Sequence, residues 1–197
     1  IAVDFVLLPP DYIMDRAIEI NRELTRKFER KIILDKENCL PHISLAMGCI
    51  SEDDVLSIQE VLQELAGQFS SLELRMVDMP IETIPNGKKV SYFEVEKTKQ
   101  LQSLHEAIME RHKHLVSYDA TTGMFYSPPD VEEINLGWVN NFFRQSSFGN
   151  FSPHITIGIG EISKPSMPIE FTATSLALCH LGNYCTCKKI LASVELS

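Results

Sequence analysis

Two stretches, "PHISLAMG" at 41–48 and "PHITIGIG" at 153–160, place a histidine and, two positions on, a hydroxyl in the same order twice in one chain. Alternate side chains of a strand share a face, so His42 stands with Ser44 and His154 with Thr156, each pair about 7 Å apart. The same alternation puts Ala46, Gly158 and Gly160 on those faces, where small residues leave room for a ligand. It turns Ile43, Leu45, Met47, Ile155, Ile157 and Ile159 toward the core. A phosphoester suits this set. Its cleavage needs one proton removed from the attacking oxygen and one delivered to the leaving oxygen, and an imidazole titrating near about 6.5 performs either transfer. Two imidazoles on opposite sides of one phosphate divide the work, while the hydroxyls of Ser44 and Thr156 hold its non-bridging oxygens. No metal ion, cofactor or covalent intermediate is required, and the residues do not say which histidine is the base. A zinc site is the other chemistry two histidines allow, but these strands offer hydroxyls and small residues where a carboxylate or third histidine would stand.

Periodicity supplies the elements that must position these residues. Residues 2–8 read as a strand. Residues 11–31 read as a helix with Ile13, Ala17, Ile20, Leu24 and Phe28 on one stripe, and Pro9-Pro10 mark the change between the two. After strand 41–48 comes a helix capped by Ser51 and ending near Gly67, then a strand at 71–79. Asn86-Gly87 sits between two strand-like runs and marks a hairpin over 81–96. A helix follows over 98–115, a loop over 117–130, a helix over 131–146 that contains Trp138, and final strands near 171–181 and 184–195. Both halves thus run strand, long helix, Pro-His-Ile strand. This is the pattern of an internal duplication with an insertion over about 117–150 in the second copy.

At 197 residues, with 44% hydrophobic and 23% charged residues, the chain has the size and composition of one soluble globular domain, read as 1–197 in two lobes. A formal net charge of −9 without a lysine or arginine run argues against duplex nucleic acid as a partner and leaves a small anionic ligand open. The apolar start is too short to span a bilayer and lacks a basic flank, so no membrane contact and a cytoplasmic location are expected, with a monomer as the working state. Five cysteines at irregular spacing are read as reduced thiols. A metal site at Cys179, His180, Cys185 and Cys187 is the other reading. A turn at Gly182-Asn183 would split it by sending Cys179 to one sheet face and Cys185 and Cys187 to the other. His105, His112 and His114 are read as a solvated helix face. Tyr126, Phe148 and Phe151, in the insertion or just ahead of the second motif, are the candidates for stacking on a base.

At His42-Ile43-Ser44 and His154-Ile155-Thr156 the chain resembles the two-histidine phosphoesterase superfamily, which includes the 2'-5' RNA ligases and the cyclic phosphodiesterases acting on 2',3'-cyclic nucleotides. "YFEVEKTKQLQSLHEAI" resembles that family's strand and helix between the motifs, and "LALCHLGNYCTCKKILASVEL" its closing hairpin. The resemblance implies an α+β fold in which two pseudo-symmetric lobes of largely antiparallel sheet with outer helices enclose a central cleft. It also implies His42 and His154 as the acid/base pair, and Ser44 and Thr156 as phosphate ligands. The function implied is metal-independent cleavage at 2',3'-cyclic phosphate or 2'-5'-linked nucleotide or RNA ends. A non-catalytic nucleotide-binding module in the same cleft is the alternative. Where many RNA-ligase-like members carry a basic residue after the second motif, this chain has Ile157-Gly158-Ile159-Gly160.

Overall fold

The structure, a computed structural model, describes residues 1–127 and 131–197. Two antiparallel sheets with helices packed against them make an α+β fold. The first sheet holds β1 (Ala2–Leu8), β2 (Ile43–Cys49), β8 (Ser175–Leu181) and β9 (Cys187–Glu195), in the order β2-β1-β8-β9. The second is built from β3 (Leu72–Asp78), β4 (Ile81–Thr83), β5 (Lys89–Val95) and β7 (Ile169–Ala173), in the order β4-β5-β3-β7, with β6 (His154–Ile159) on the free side of β5. Each motif strand therefore lies at a sheet edge, β2 against β1 and β6 against β5.

The helices begin and end where local chemistry dictates. α1 (Asp11–Lys27) opens after Pro10 and buries Ile13, Met14, Ala17, Ile18, Ile20, Asn21 and Leu24, so a single amide interrupts an otherwise apolar stripe. A 3-10 turn capped by Ser51 leads into α2 (Val55–Ala66), and Thr98 accepts from the Leu101 amide to cap α3 (Lys99–His112). α4 (Ile134–Gln145) lies between α3 and β6. It is tied to the β8–β9 connection through Asn135, which donates to Asn183 Oδ1 and accepts from the Cys185 amide. Pro128, Pro129 and Asp130, the end of the expected loop, lie outside the described residues.

Three sequence expectations change in the closing segment. The run 171–181 is not one strand. It breaks at Thr174 into β7 of the second sheet and β8 of the first, so the chain steps between sheets where pattern alone saw continuity. The closing hairpin does not turn tightly at Gly182-Asn183 either; a 3-10 turn at Asn183–Cys185 connects the strands, and register shifts interrupt the β8–β9 pairing. In this register Cys179 and Cys187 share a face and form a disulfide, while Cys39, Cys49 and Cys185 are free and buried. The cysteines are thus neither all reduced nor split as expected.

Of the three histidines read as solvated, His114 is exposed and the other two differ from expectation. His105 and His112 are buried. His112 packs against Phe5 with ring centroids 4.9 Å apart, neither ring nitrogen has a hydrogen-bond partner among the described residues, and burial pushes its pKa down to about 4. Because that value lies below the ordinary one of about 6.5, the folded state binds fewer protons. The stability His112 confers as a neutral ring is present above about pH 6.5 and is lost as pH falls toward 4. His112→Leu should therefore reduce the loss of unfolding free energy between pH 7 and pH 4.5 by up to about 3 kcal/mol in urea titrations. Equal losses in both proteins would contradict this.

Candidate active site

His42 precedes β2 and His154 opens β6, and the same local device fixes both rings. His42 Nδ1 lies 2.7 Å from Leu40 O and His154 Nδ1 lies 2.8 Å from Ser152 O, each the carbonyl two residues back. A carbonyl only accepts, so Nδ1 donates its proton and Nε2 keeps its lone pair. Pro41 and Pro153 stand between ring and carbonyl, and their fixed φ holds the short loop that this contact closes. Both imidazoles, Ser44 and Thr156 line one cavity of about 340 Å³ between the sheets.

Two crossed braces hold this arrangement. α1 follows β1 of the first sheet but packs on β6 of the second, whereas α3 follows β5 of the second and packs on β2 of the first. From α1, Asn21 donates to Ile157 O at 2.7 Å and to Ile32 O at 3.0 Å, and accepts from the Leu34 amide. From α3, His105 Nδ1 donates to Leu45 O at 2.6 Å, and its Nε2 accepts from the Phe148 amide at 2.7 Å. Each brace thus grips the residue just after one motif hydroxyl and the segment leading into the other motif.

Leu45 and Ile157 are also the residues at which the β1–β2 and β5–β6 registers slip. A bulge moves everything after it to the opposite face. Consequently Met47, expected in the core, lines the cavity, while Ala46, expected beside the ligand, packs in the core. Gly158 and Gly160 likewise make room for α1 rather than for a ligand: a Cβ would meet Asn21 Nδ2 at 2.9 Å on Gly158, and the Phe28 ring on Gly160.

A profile of the 2'-5' RNA ligase superfamily matches residues 22–182, which contain both motifs, His105 and the C-terminal end of α1. The chain belongs to this superfamily. Among solved structures it is similar to TT0787 of Thermus thermophilus, with 14% identity, a TM-score of 0.66, and coverage of 100% of this chain and 98% of that one. It is also similar to E. coli LigT complexed with 3'-AMP, with 15% identity, a TM-score of 0.54, and coverage of 99% and 97%. For LigT complexed with NADP+ the corresponding figures are 15%, 0.56, 98% and 96%. No curated protein sequence matches the chain.

In this member of the superfamily, several residues without a motif signature complete the cavity. Trp138 and Phe142 from α4, Tyr92 from β5 and Tyr184 from the β8–β9 connection form aromatic walls. Tyr92 lies 5.0 Å from the His154 ring, centroid to centroid. Phe151 lines the cavity and stacks on His105 at 4.1 Å, whereas Tyr126 and Phe148 are not among the lining residues. Tyr126 packs edge-on to His180, and Phe148 to His105 and Phe143. At the rim, Lys88 donates to Glu29 and Tyr184, and Tyr184 donates to Glu132, so its hydroxyl is spent on holding that wall.

The lining holds no lysine or arginine among the described residues; Glu82 is its carboxylate. Burial lowers the His42 pKa to about 4, with the charge of His154 adding to the depression. His154 is lowered too, chiefly by burial, against an opposing pull from Glu82. Beneath the first motif, fully buried Asp4 is hydrogen-bonded to Ser44 Oγ at 2.6 Å and lies 3.7 Å from His42 Nε2. Asp4 is the one charged residue in an otherwise apolar strand, a sequence sign of a buried polar contact outside both motifs. No group of three or more His, Cys, Asp or Glu is arranged to hold a metal among the described residues, and no helix there is long and apolar enough to cross a membrane.

The braces make a direct prediction. Asn21→Ala orphans two buried carbonyls and an amide and should cost about 3 kcal/mol of unfolding free energy; Asn21→Asp, which adds lone pairs against those carbonyls, should cost more. Denaturant unfolding measures both. A loss under about 1 kcal/mol in either variant would remove Asn21 from this role.

Proposed function

We propose that the chain is a phosphoesterase acting on 2',3'-cyclic phosphate or 2'-5'-linked ends of nucleotides or RNA, with His42 and His154 as its base and acid. The observation that carries this reading is that both imidazoles, each with Nδ1 committed to a backbone carbonyl, share one cavity with both motif hydroxyls. In hydrolysis of a cyclic phosphate, His42 Nε2 takes a proton from the attacking water as the new P–O bond forms. His154 Nε2–H delivers a proton to the ribose oxygen as its bond to phosphorus breaks. The hydroxyls of Ser44 and Thr156 donate to the non-bridging oxygens, where charge develops. No residue of this set calls for a metal ion.

The division of labour follows the electrostatics. Glu82 favours the imidazolium at His154, whereas His42 is desolvated and repelled by a charged His154, so the first proton taken up belongs to His154. The bound phosphate anion stabilises that cation further. The aromatic walls offer stacking surfaces for a nucleobase. LigT structures with 3'-AMP and NADP+ support a nucleotide as the ligand class for this cleft.

The first test incubates the protein with 2',3'-cyclic nucleotides and 2'-5' oligonucleotides in excess chelator. Turnover should persist in chelator, and His42→Ala and His154→Ala should each lower kcat/KM by about 10²- to 10⁴-fold. Activity surviving both substitutions, or saturable nucleotide binding without turnover, would sink the enzymatic assignment.

The pH profile tests the roles. Since burial lowers both histidines, the form with neutral His42 and protonated His154 is most populated on the acid side of the ordinary histidine value. kcat/KM should therefore fall as pH rises through the lowered value of His154. Glu82→Gln, which removes the carboxylate supporting that imidazolium, should move the fall to lower pH. A shift upward, or none, would contradict the assignment.

A further inference from the structure

Asp4 poses a chemical problem for the mechanism above. A serine hydroxyl has one proton, and if Ser44 spends it on an Asp4 carboxylate, Ser44 can only accept hydrogen bonds and would repel the phosphate oxygens it is meant to bind. An ionised Asp4 would also be poorly housed. It is completely buried, and Oδ1 lies near the Ala46 backbone without a hydrogen bond among the described residues. The one ion-pairing contact to it there is His42 Nε2, at 3.7 Å beyond hydrogen-bond range. A buried carboxylate so sparsely compensated is costly, and the usual relief is to stay protonated.

We propose that Asp4 is a positioning residue held as the neutral acid, and that its O–H donates to Ser44 Oγ, which frees the Ser44 proton to point into the cavity. The inference rests on the phosphoesterase reading for its purpose, but not for its chemistry. A separation of 2.6 Å suits an O–H···O bond in either direction. Burial pushes the Asp4 carboxyl well above the usual carboxylate range, against the opposing pulls of the Ser44 bond and the Ala46 backbone. The titratable groups facing Asp4 do not counter this. From the start of β2 comes His42, itself driven toward its neutral form; from the β8–β9 connection comes Cys185, a buried thiol also pushed up; and Cys179, opposite on β8, is locked in the disulfide. The sheet partner on β2 is Met47, and α4 contributes Trp138 to the same cavity; neither carries charge.

The arrangement also explains why a carboxyl rather than an amide is tolerated beside an anion. A neutral acid passes a donor through Ser44 without adding negative charge to the cavity, and it leaves the Nε2 lone pair of His42 free as a base. Ionisation of Asp4 would reverse the polarity of the Ser44 hydroxyl and bring a carboxylate toward the bound phosphate, so deprotonation and loss of anion affinity are coupled.

Two measurements on the full chain test this. Carbon-detected NMR identifies the Asp4 carboxyl as the resonance missing in Asp4→Asn. It should stay at its protonated position at the pH where exposed aspartates have already ionised, and titration together with them would overturn the proposal. This readout needs no turnover, so it stands apart from failure of the phosphoesterase reading, which would appear as an inactive wild type. The second measurement is inorganic phosphate affinity by calorimetry. Asp4→Ala should weaken it about tenfold, and Asp4→Asn, whose amide also donates to Ser44 Oγ, should recover most of that loss. An asparagine variant as weak as the alanine variant would mean that a charge is needed, and an alanine variant as tight as wild type would mean that Asp4 does not act through Ser44. Either result overturns the proposal.

Discussion

The site depends on a crossed pair of polar braces. A histidine on one sheet edge does nothing for a phosphate unless the opposite edge is held at a fixed distance, and two edge strands have no backbone partner in common. Asn21 and His105 supply the missing link, because each helix crosses from the sheet it follows to the edge strand of the other. The braces are chemically unlike, an amide and an imidazole, yet equivalent in what they grip: the bulged residue after a motif hydroxyl and the loop that enters the other motif. Buried carbonyls at bulges need donors that the ladder no longer supplies, so the same bonds that join the halves also satisfy the irregular strands.

Under the proposed reaction the cavity handles an anion without a lysine or arginine among its described lining residues. Its donors are neutral hydroxyls and imidazoles, and the walls are mostly aromatic. Water exclusion strengthens each such donor, and it also explains why both histidines titrate low in the cavity. Under the proposed reaction the substrate anion then favours the proton that one imidazole needs. Fixed lysines would hold a phosphate more tightly, but they would also depress both histidines further.

Much of this was legible in the sequence, and the limits have physical causes. The repeated His-x-Ser/Thr pattern, the order of strands and helices, and the superfamily with its α+β architecture could be read because motif spacing and hydrophobic period are local properties. The facing of Met47 and Ala46 could not, since a bulge shifts register by one residue without a change in composition. The split of 171–181 between sheets was hidden because both pieces carry the same apolar alternation. His105 read as solvated because its partners, Leu45 O and the Phe148 amide, are distant in sequence. Asp4 and Asn21 were visible as polar interruptions of apolar elements, which is a usable sign of a buried polar contact even where its partner is unknown. Trp138, Phe142, Tyr92 and Tyr184 had no such mark, because aromatic residues serve cores and ligands alike.

The central claim is that the two motifs act as one device on one phosphate. A double-mutant cycle on kcat/KM with His42→Ala, His154→Ala and the combined variant tests it most directly. If each histidine is useful only with the other, the double variant will be scarcely slower than either single one. Losses that multiply in the double variant, or one histidine whose removal leaves the rate intact, would contradict the account.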